Sequence, residues 1–253
     1  MRKFDYFFDG DYSILEDSSF KLGVVGSRLL ISYTKNVLED LFQELKNFDF
    51  CIVSGGMYGV DMYAHNLALE NNLKTIIVLP QGINSYKNSS LYKQLKLKPK
   101  SKYLLLSEYS TEIGPRKFTY IERNKIIASL SDVLLVAQAS YKSGSISTAY
   151  SAIKQNKNLV SVPFSLENIQ FQGTNLLIEK GSKIYLNPTS ILSQFNIANK
   201  DIEIQIKEIL SKGSKNLTQL ENLVGANSVF LQKSILKLIL EGEIFFNGEE
   251  YYL

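Results

Sequence analysis

A chain of 253 residues, 45% of them hydrophobic, is long enough to bury one sizeable core and a second small one. Its longest apolar runs are near strand length and broken by polar residues, which excludes a membrane-spanning helix, and one cysteine with one histidine excludes an intramolecular disulfide and a Cys/His zinc site. The net charge of +3 conceals a concentrated one: residues 86–125 hold ten Lys or Arg against three acids, whereas residues 201–253 hold five against eight. A basic block of this kind is either a solvated face or the footprint of a polyanion.

In chain order, residues 1–20 form a short N-terminal segment with no legible periodicity. Arg2 and Lys3 are followed by Asp5, Asp9 and Asp11 rather than an apolar signal core, and Cys51 inside an apolar run reads as a small core residue, so a cytoplasmic protein is expected. "KLGVVG" (21–26) predicts a strand, and 33–48 a helix, with Val37, Leu38, Leu41, Phe42 and Leu45 at helical spacing. Strand-like runs follow at 50–53, 75–80, 103–109, 133–139 and 159–164, with helix-like segments between nearly all of them. Strands apolar on both faces alternating with helices imply a helix-covered, mostly parallel sheet, so 21–186 is expected to be a Rossmann-like, doubly wound α/β domain. Residues 187–200 read as a polar linker. Helices predicted at 201–211, 217–223 and 227–241, then Asn247-Gly248 between apolar-aromatic runs, give the order of a small winged-helix-like domain over 201–253. Its acidic balance, with Lys233 and Lys237 as the lysines of the expected recognition helix, argues against duplex binding.

In doubly wound sheets ligands sit beyond the carboxyl ends of the strands. The loops expected there share a character: Gly26-Ser27-Arg28, then Ser54-Gly55-Gly56, then Lys142-Ser143-Gly144-Ser145 continuing to Thr148. Glycines admit a ligand to the backbone, hydroxyls and helix-start N–H groups bind oxyanions, and Arg28 can fork onto a phosphate. Each loop alone is equally a turn and a helix cap. Neither G-x-G-x-x-G nor G-x-x-x-x-G-K-[ST] is present, so no nucleotide cofactor is expected. His65 lies four residues after Asp61 on the predicted helix that follows the second loop. Without a G-x-S-x-G elbow this pair caps and packs the helix rather than catalyses. Glu108 and Glu122 are a candidate carboxylate pair without recognisable spacing. The segment 114–132 interleaves Arg116, Lys117, Arg123 and Lys125 with Phe118 and Tyr120, the mixture that single-stranded nucleic acid favours; Phe118 is expected in the core below the basic rim.

Six segments, "GVVGSR", "IVSGGMYGVDMYAH", "LLSEY", "RNKIIASLSDVLLV", "KSGSISTAYSA" and "GTNLLIEKG", together resemble in order the bacterial DNA-processing protein A family, DprA or Smf. The resemblance implies a protein of natural transformation that binds single-stranded DNA without enzymatic activity, protects incoming strands, dimerises and helps load the RecA recombinase. It implies a phosphate-binding role for Arg28 and a DNA contact for Lys117. Tyr120 stands at the place of a base-stacking phenylalanine and Ile121 at that of a common proline, while Arg123, Asn124 and 142–148 match positions that shape the same pocket. The helical N-terminal domain of many relatives has no counterpart in the first twenty residues. Two alternatives stand beside this one. Related nucleoside-monophosphate phosphoribohydrolases use a "PGGxGTxxE" loop, whose glutamate is missing from Ser143–Tyr150; an assembly adaptor would recruit a partner through the acidic tail.

Overall fold

The computed structural model describes residues 6–110, 112–188, 191, 200–224 and 228–253. They fall into two compact units, one within Met1–Lys46 and Phe50–Asn187, the other within Asn47–Asp49 and Pro188–Leu253.

The first unit runs β1 (Phe7–Gly10), α1 (Ser13–Glu16), β2 (Phe20–Gly26), α2 (Ser32–Leu45), β3 (Phe50–Ser54), α3 (Val60–Glu70), β4 (Lys74–Leu79), α4 (Ile83–Tyr86), α5 (Ser90–Leu95), β5 (Tyr103–Ser107), α6 (Lys117–Leu130), β6 (Val133–Gln138), α7 (Gly144–Lys154), β7 (Asn158–Ser161), α8 (Gly173–Glu179) and β8 (Lys183–Ile184). Its strands form one sheet in the order β1-β5-β4-β3-β2-β6-β7-β8, parallel throughout except for β1. Every residue of β3, β5 and β6 is buried, which is why these strands read as unbroken apolar runs rather than alternating ones. On one face Ile126 and Ile127 of α6 and Ile146 and Ala149 of α7 pack over Val25, Cys51, Val53 and Val136. The lone cysteine is thus a core residue. α2 turns Leu38, Leu41, Phe42 and Leu45 inward, as its 3.6-residue period requires.

From β2 the chain moves outward through β3, β4 and β5, then returns to lay β6 on the other side of β2. The order reverses between β2 and β6, and in open sheets the crevice beyond the carboxyl ends at such a point is where ligands sit.

The first twenty residues carry more structure than their pattern suggests. β1 pairs antiparallel with the edge of β5, Phe7 opposite Ser107 and Gly10 opposite Leu104. It is short, with none of its residues buried, and without alternation, so backbone pairing and one anchor define it. That anchor is Asp9, which accepts from Lys96 Nζ at 2.7 Å and from the Tyr92 hydroxyl at 2.8 Å; these donors hold its pKa below the usual carboxylate range despite partial burial.

The second unit contains α9 (Lys200–Leu210), α10 (Leu217–Val224), α11 (Ser228–Leu240), β9 (Phe245–Phe246) and β10 (Tyr251–Tyr252). Ile206, Leu210, Leu220, Leu231, Ile235 and Leu238 form its core, and Glu203 on α9 pairs with Lys237 on α11 at 2.9 Å. The hairpin turns at Asn247-Gly248: Asn247 Oδ1 accepts the N–H groups of Glu249 and Glu250, and Gly248 takes φ +103°. Lys215 bridges to Tyr251, so the hairpin gains a third, minimal strand, as in a winged helix. Of the stretch 187–200, residues 189–190 and 192–199 lie outside the described residues. No helix among the described residues is long and apolar enough to cross a membrane.

Candidate functional site

A cavity of about 340 Å³ opens at the reversal point. Its wall is built by four elements: Val25 to Arg28 at the end of β2, Met57 and Asp61 at the start of α3, Tyr120, Arg123, Asn124 and Ile127 on α6, and Ser143, Gly144, Ser145 and Thr148 opening α7.

The loops are gathered by one buried carboxylate. Asp61, in the first turn of α3, has the backbone N–H groups of Gly26, Gly55 and Met57 around its carboxylate, where they favour its charged form, so a single side chain ties together the loops after β2 and β3. Across Gly55 it faces the guanidinium of Arg123, which is only 4% exposed. A Cβ on Gly55 would lie 1.5 Å from Arg123 Nη1 and 2.7 Å from Asp61 Oδ2, so only glycine lets the cation in. Burial pushes the Asp61 carboxyl up, against the pull of Arg123 and the three N–H groups. Arg123 Nη1 donates to Val78 O at 3.2 Å, while its buried Nε has no partner among the described residues. A cavity-lining cation with an unused buried donor is equipped to receive an oxyanion or a carbonyl.

α7 contributes its N-terminus. Ser143 caps it by accepting the Ile146 N–H, and Asn124 Nδ2 and Thr148 Oγ1 both donate to Gly144 O, at 3.3 and 3.2 Å. The leading N–H groups of a helix have no intrahelical acceptor and carry its positive dipole end, so this wall too favours an anion. Arg28 is exposed at the mouth. Its loop is held by Gln138, fully buried at the end of β6: Oε1 accepts from Thr34 Oγ1 at 2.8 Å and Ile31 N–H at 3.4 Å, and Nε2 donates to Leu29 O. Tyr120 is half-buried and lines the cavity, its ring centroid 5.9 Å from the Arg123 guanidinium.

Of the residues expected from the sequence, Gly26, Ser27, Arg28, Tyr120, Arg123, Asn124, Ser143, Gly144 and Ser145 line this cavity together. Ser54, Gly55 and Gly56 do not line it. The Ser54 hydroxyl is spent on Val24 O, and Gly56 O accepts the Tyr86 hydroxyl at 2.8 Å; these three shape the floor. Lys117 and Lys142 are exposed beside it. Phe118 is not a core residue but 54% exposed. α6 turns Thr119, Arg123, Asn124, Ile126 and Ile127 inward, and a residue one position from Thr119 points about 100° away. Glu108 and Glu122 are close enough for Glu122 to add to the upward shift that burial gives Glu108, yet neither lines the cavity. His65 is fully buried, and its Nδ1 lies 2.7 Å from Thr75 Oγ1. The Thr75 hydroxyl proton goes to Ile52 O, so His65 donates from Nδ1. Burial, then the Arg123 charge, pushes its pKa down to about 3, which makes it a neutral packing residue. The described residues contain no group of three or more His, Cys, Asp or Glu placed to hold a metal.

Sequence reasoning missed Gln138 and the clamp that joins Asp61 to Arg123. Neither has a local pattern: the partners are separated by about a hundred and about sixty positions.

The family model described as DNA recombination-mediator protein A matches residues 5–196. The chain belongs to the DprA family. It is 33% identical over 189 residues to the DNA processing protein DprA of Streptococcus pneumoniae, covering 75% of this chain and 66% of that protein, and 33% identical over 189 residues to DprA of Bacillus subtilis, covering 74% and 63%. It thus spans about two thirds of the length of these DprA relatives. The X-ray structure of the S. pneumoniae DprA superposes with a TM-score of 0.68 at 32% identity, over 74% of this chain and 65% of that one. DprA of Helicobacter pylori, whose structure is described in terms of its single-stranded DNA binding mode, gives 0.67 at 32% identity, over 75% and 86%. These likenesses establish the Rossmann-like fold of this DprA-family chain.

Proposed function

We propose that this protein binds single-stranded DNA at the sheet-end cavity. The observation that carries the reading is the convergence, in one cavity, of an exposed arginine, a buried arginine with an unused donor, a helix N-terminus and a half-buried tyrosine ring. Cations and N–H groups take phosphates, and the ring takes a base, the combination that recognises single strands without reading sequence. The binding set is Gly26, Ser27, Arg28, Tyr120, Arg123, Asn124, Ser143, Gly144 and Ser145 at the cavity, Ser54, Gly55 and Gly56 beneath it, and Lys117 and Lys142 beside it. The H. pylori relative supports the same ligand.

The protein acts by holding DNA rather than turning it over. Asp61 is the sole acid among the lining residues and is already engaged with three N–H groups, and the stretch Ser143–Tyr150 offers no carboxylate for glycosidic chemistry. Membership of a recombination-mediator family supports a cytoplasmic homodimer that protects incoming strands in natural transformation and helps load RecA. The domain division read from the sequence, with a DNA-binding unit over 21–186 and a winged-helix-like unit over 201–253, belongs to the same proposal.

The test is fluorescence anisotropy of labelled oligo-dT and of a matching duplex across a salt series. Single strand is expected to bind more tightly. Arg28→Ala is expected to lower the salt slope by about 0.7, one phosphate contact on a single strand, and Tyr120→Ala to weaken binding by about 1–3 kcal/mol at nearly unchanged slope. Absence of oligo-dT binding together with release of base from a nucleoside monophosphate would replace this reading with the hydrolase.

A further inference from the structure

Beside the cavity lies a second concave surface, which shares only Lys142 and Ser143 with the binding set above. A groove of about 610 Å³ runs between α6 and α7, lined by Ile121, Lys125, Tyr141, Lys142, Tyr150 and Lys154 among others. Ser143 belongs to both cavity and groove, so the two adjoin at the start of α7. Tyr141, Ile121 and Tyr150 are 54%, 47% and 38% exposed. Three large apolar side chains lining one groove are a patch, unlike the scattered singles that any surface carries. Its charge is one-signed: among the described residues, three lysines and no acid line the groove. Lys125 is partly engaged by Glu122 at 2.9 Å, whereas Lys154 makes no ion pair among the described residues.

We propose that this groove is a second nucleotide track, which receives the strand where it leaves the cavity, with Tyr141 and Tyr150 as base platforms and Lys154 on a phosphate. The inference rests on the single-strand reading and extends it from one cavity to a path. α7 spans about 15 Å along the groove, room for about four nucleotides at the 3.4 Å stacked spacing. Charge selects this occupant over a second copy of the chain: an isologous contact centred here would bring the three lysines against their own symmetry mates.

The test is anisotropy with oligo-dT from four to twenty nucleotides, for wild type, Tyr141→Ala, Tyr150→Ala, Lys154→Ala and Arg28→Ala, all changes at exposed or partly exposed positions, with circular dichroism to verify folding. Each tyrosine variant is expected to lose about tenfold in affinity for the twenty-mer and little for the four-mer, and Lys154→Ala to lower the salt slope by about 0.7 for the twenty-mer alone. If Arg28→Ala weakens binding while the tyrosine and Lys154 variants match wild type at every length, the track is refuted and the cavity stands. If wild type binds no oligo-dT, both readings fall together. Normal DNA binding by the tyrosine variants with an altered mass in light scattering would reassign the groove to an interface between copies of the chain.

Discussion

Gly55→Ala tests the clamp that organises the site. The added methyl would sit 1.5 Å from Nη1 and 2.3 Å from Cζ of Arg123, well inside van der Waals contact, so the guanidinium has to leave. Moving it breaks the bond to Val78 O and draws the cation away from Asp61. Overpacking a core costs about 1–3 kcal/mol and a lost buried bond to a charged group about 1.5–3 kcal/mol, so a loss of about 3 kcal/mol is expected. Urea unfolding monitored by circular dichroism reads it as a lower midpoint at constant m. Because the clash is with Arg123, the cost is conditional. In an Arg123→Ala background the nearest obstacle becomes Asp61 Oδ2 at 2.7 Å, a milder overlap, and Gly55→Ala is then expected to cost less than it does beside Arg123. Additivity of the two substitutions in a double-mutant cycle would refute the placement of the guanidinium against Gly55.

Three further outcomes are expected. Gln138→Ala removes the bonds to Ile31, Thr34 and Leu29 that fix the Arg28 loop; it should cost about 2–3 kcal/mol in urea unfolding and weaken oligo-dT binding although Gln138 does not line the cavity. The folded-state pKa of His65, about 3, lies below its unfolded value of roughly 6.5. Between the two the unfolded chain holds the extra proton, so this histidine removes up to about 1.4 kcal/mol of stability per pH unit as pH falls from 6.5 towards 3; His65→Gln should flatten the curve between pH 6.5 and 4.5, and an unchanged slope would contradict the buried neutral ring. Phe118→Ala, at an exposed position, is expected to shift stability by less than about 0.5 kcal/mol, whereas a core phenylalanine would lose about 3–5 kcal/mol.

The parallel sheet, the strand-end loops and the hairpin were legible in the sequence because each is a local pattern. Strands buried on both faces are apolar throughout, turns that need a positive φ take glycine, and Asn247-Gly248 between aromatic runs has few other uses. The strand-end rule for doubly wound sheets indicated which loops share a rim, and the resemblance in six ordered segments added the family and its ligand. What escaped was set by partners distant in the chain. β1 is a strand because β5 offers it an edge, and its four residues carry no periodicity of their own. α6 defeats the amphipathic rule because it lies over a polar cavity and buries Thr119, Arg123 and Asn124 where an ordinary helix buries leucines, so Phe118 was assigned to the wrong face. Arg123 reads as a surface cation in sequence, yet Gly55 and Asp61 make a buried niche for it. Composition and periodicity determine which backbone lies in the sheet and where its loops emerge. Only the packed tertiary structure decides which charges those loops enclose, because burial of an ion depends on counter-charge and donors supplied from elsewhere in the chain.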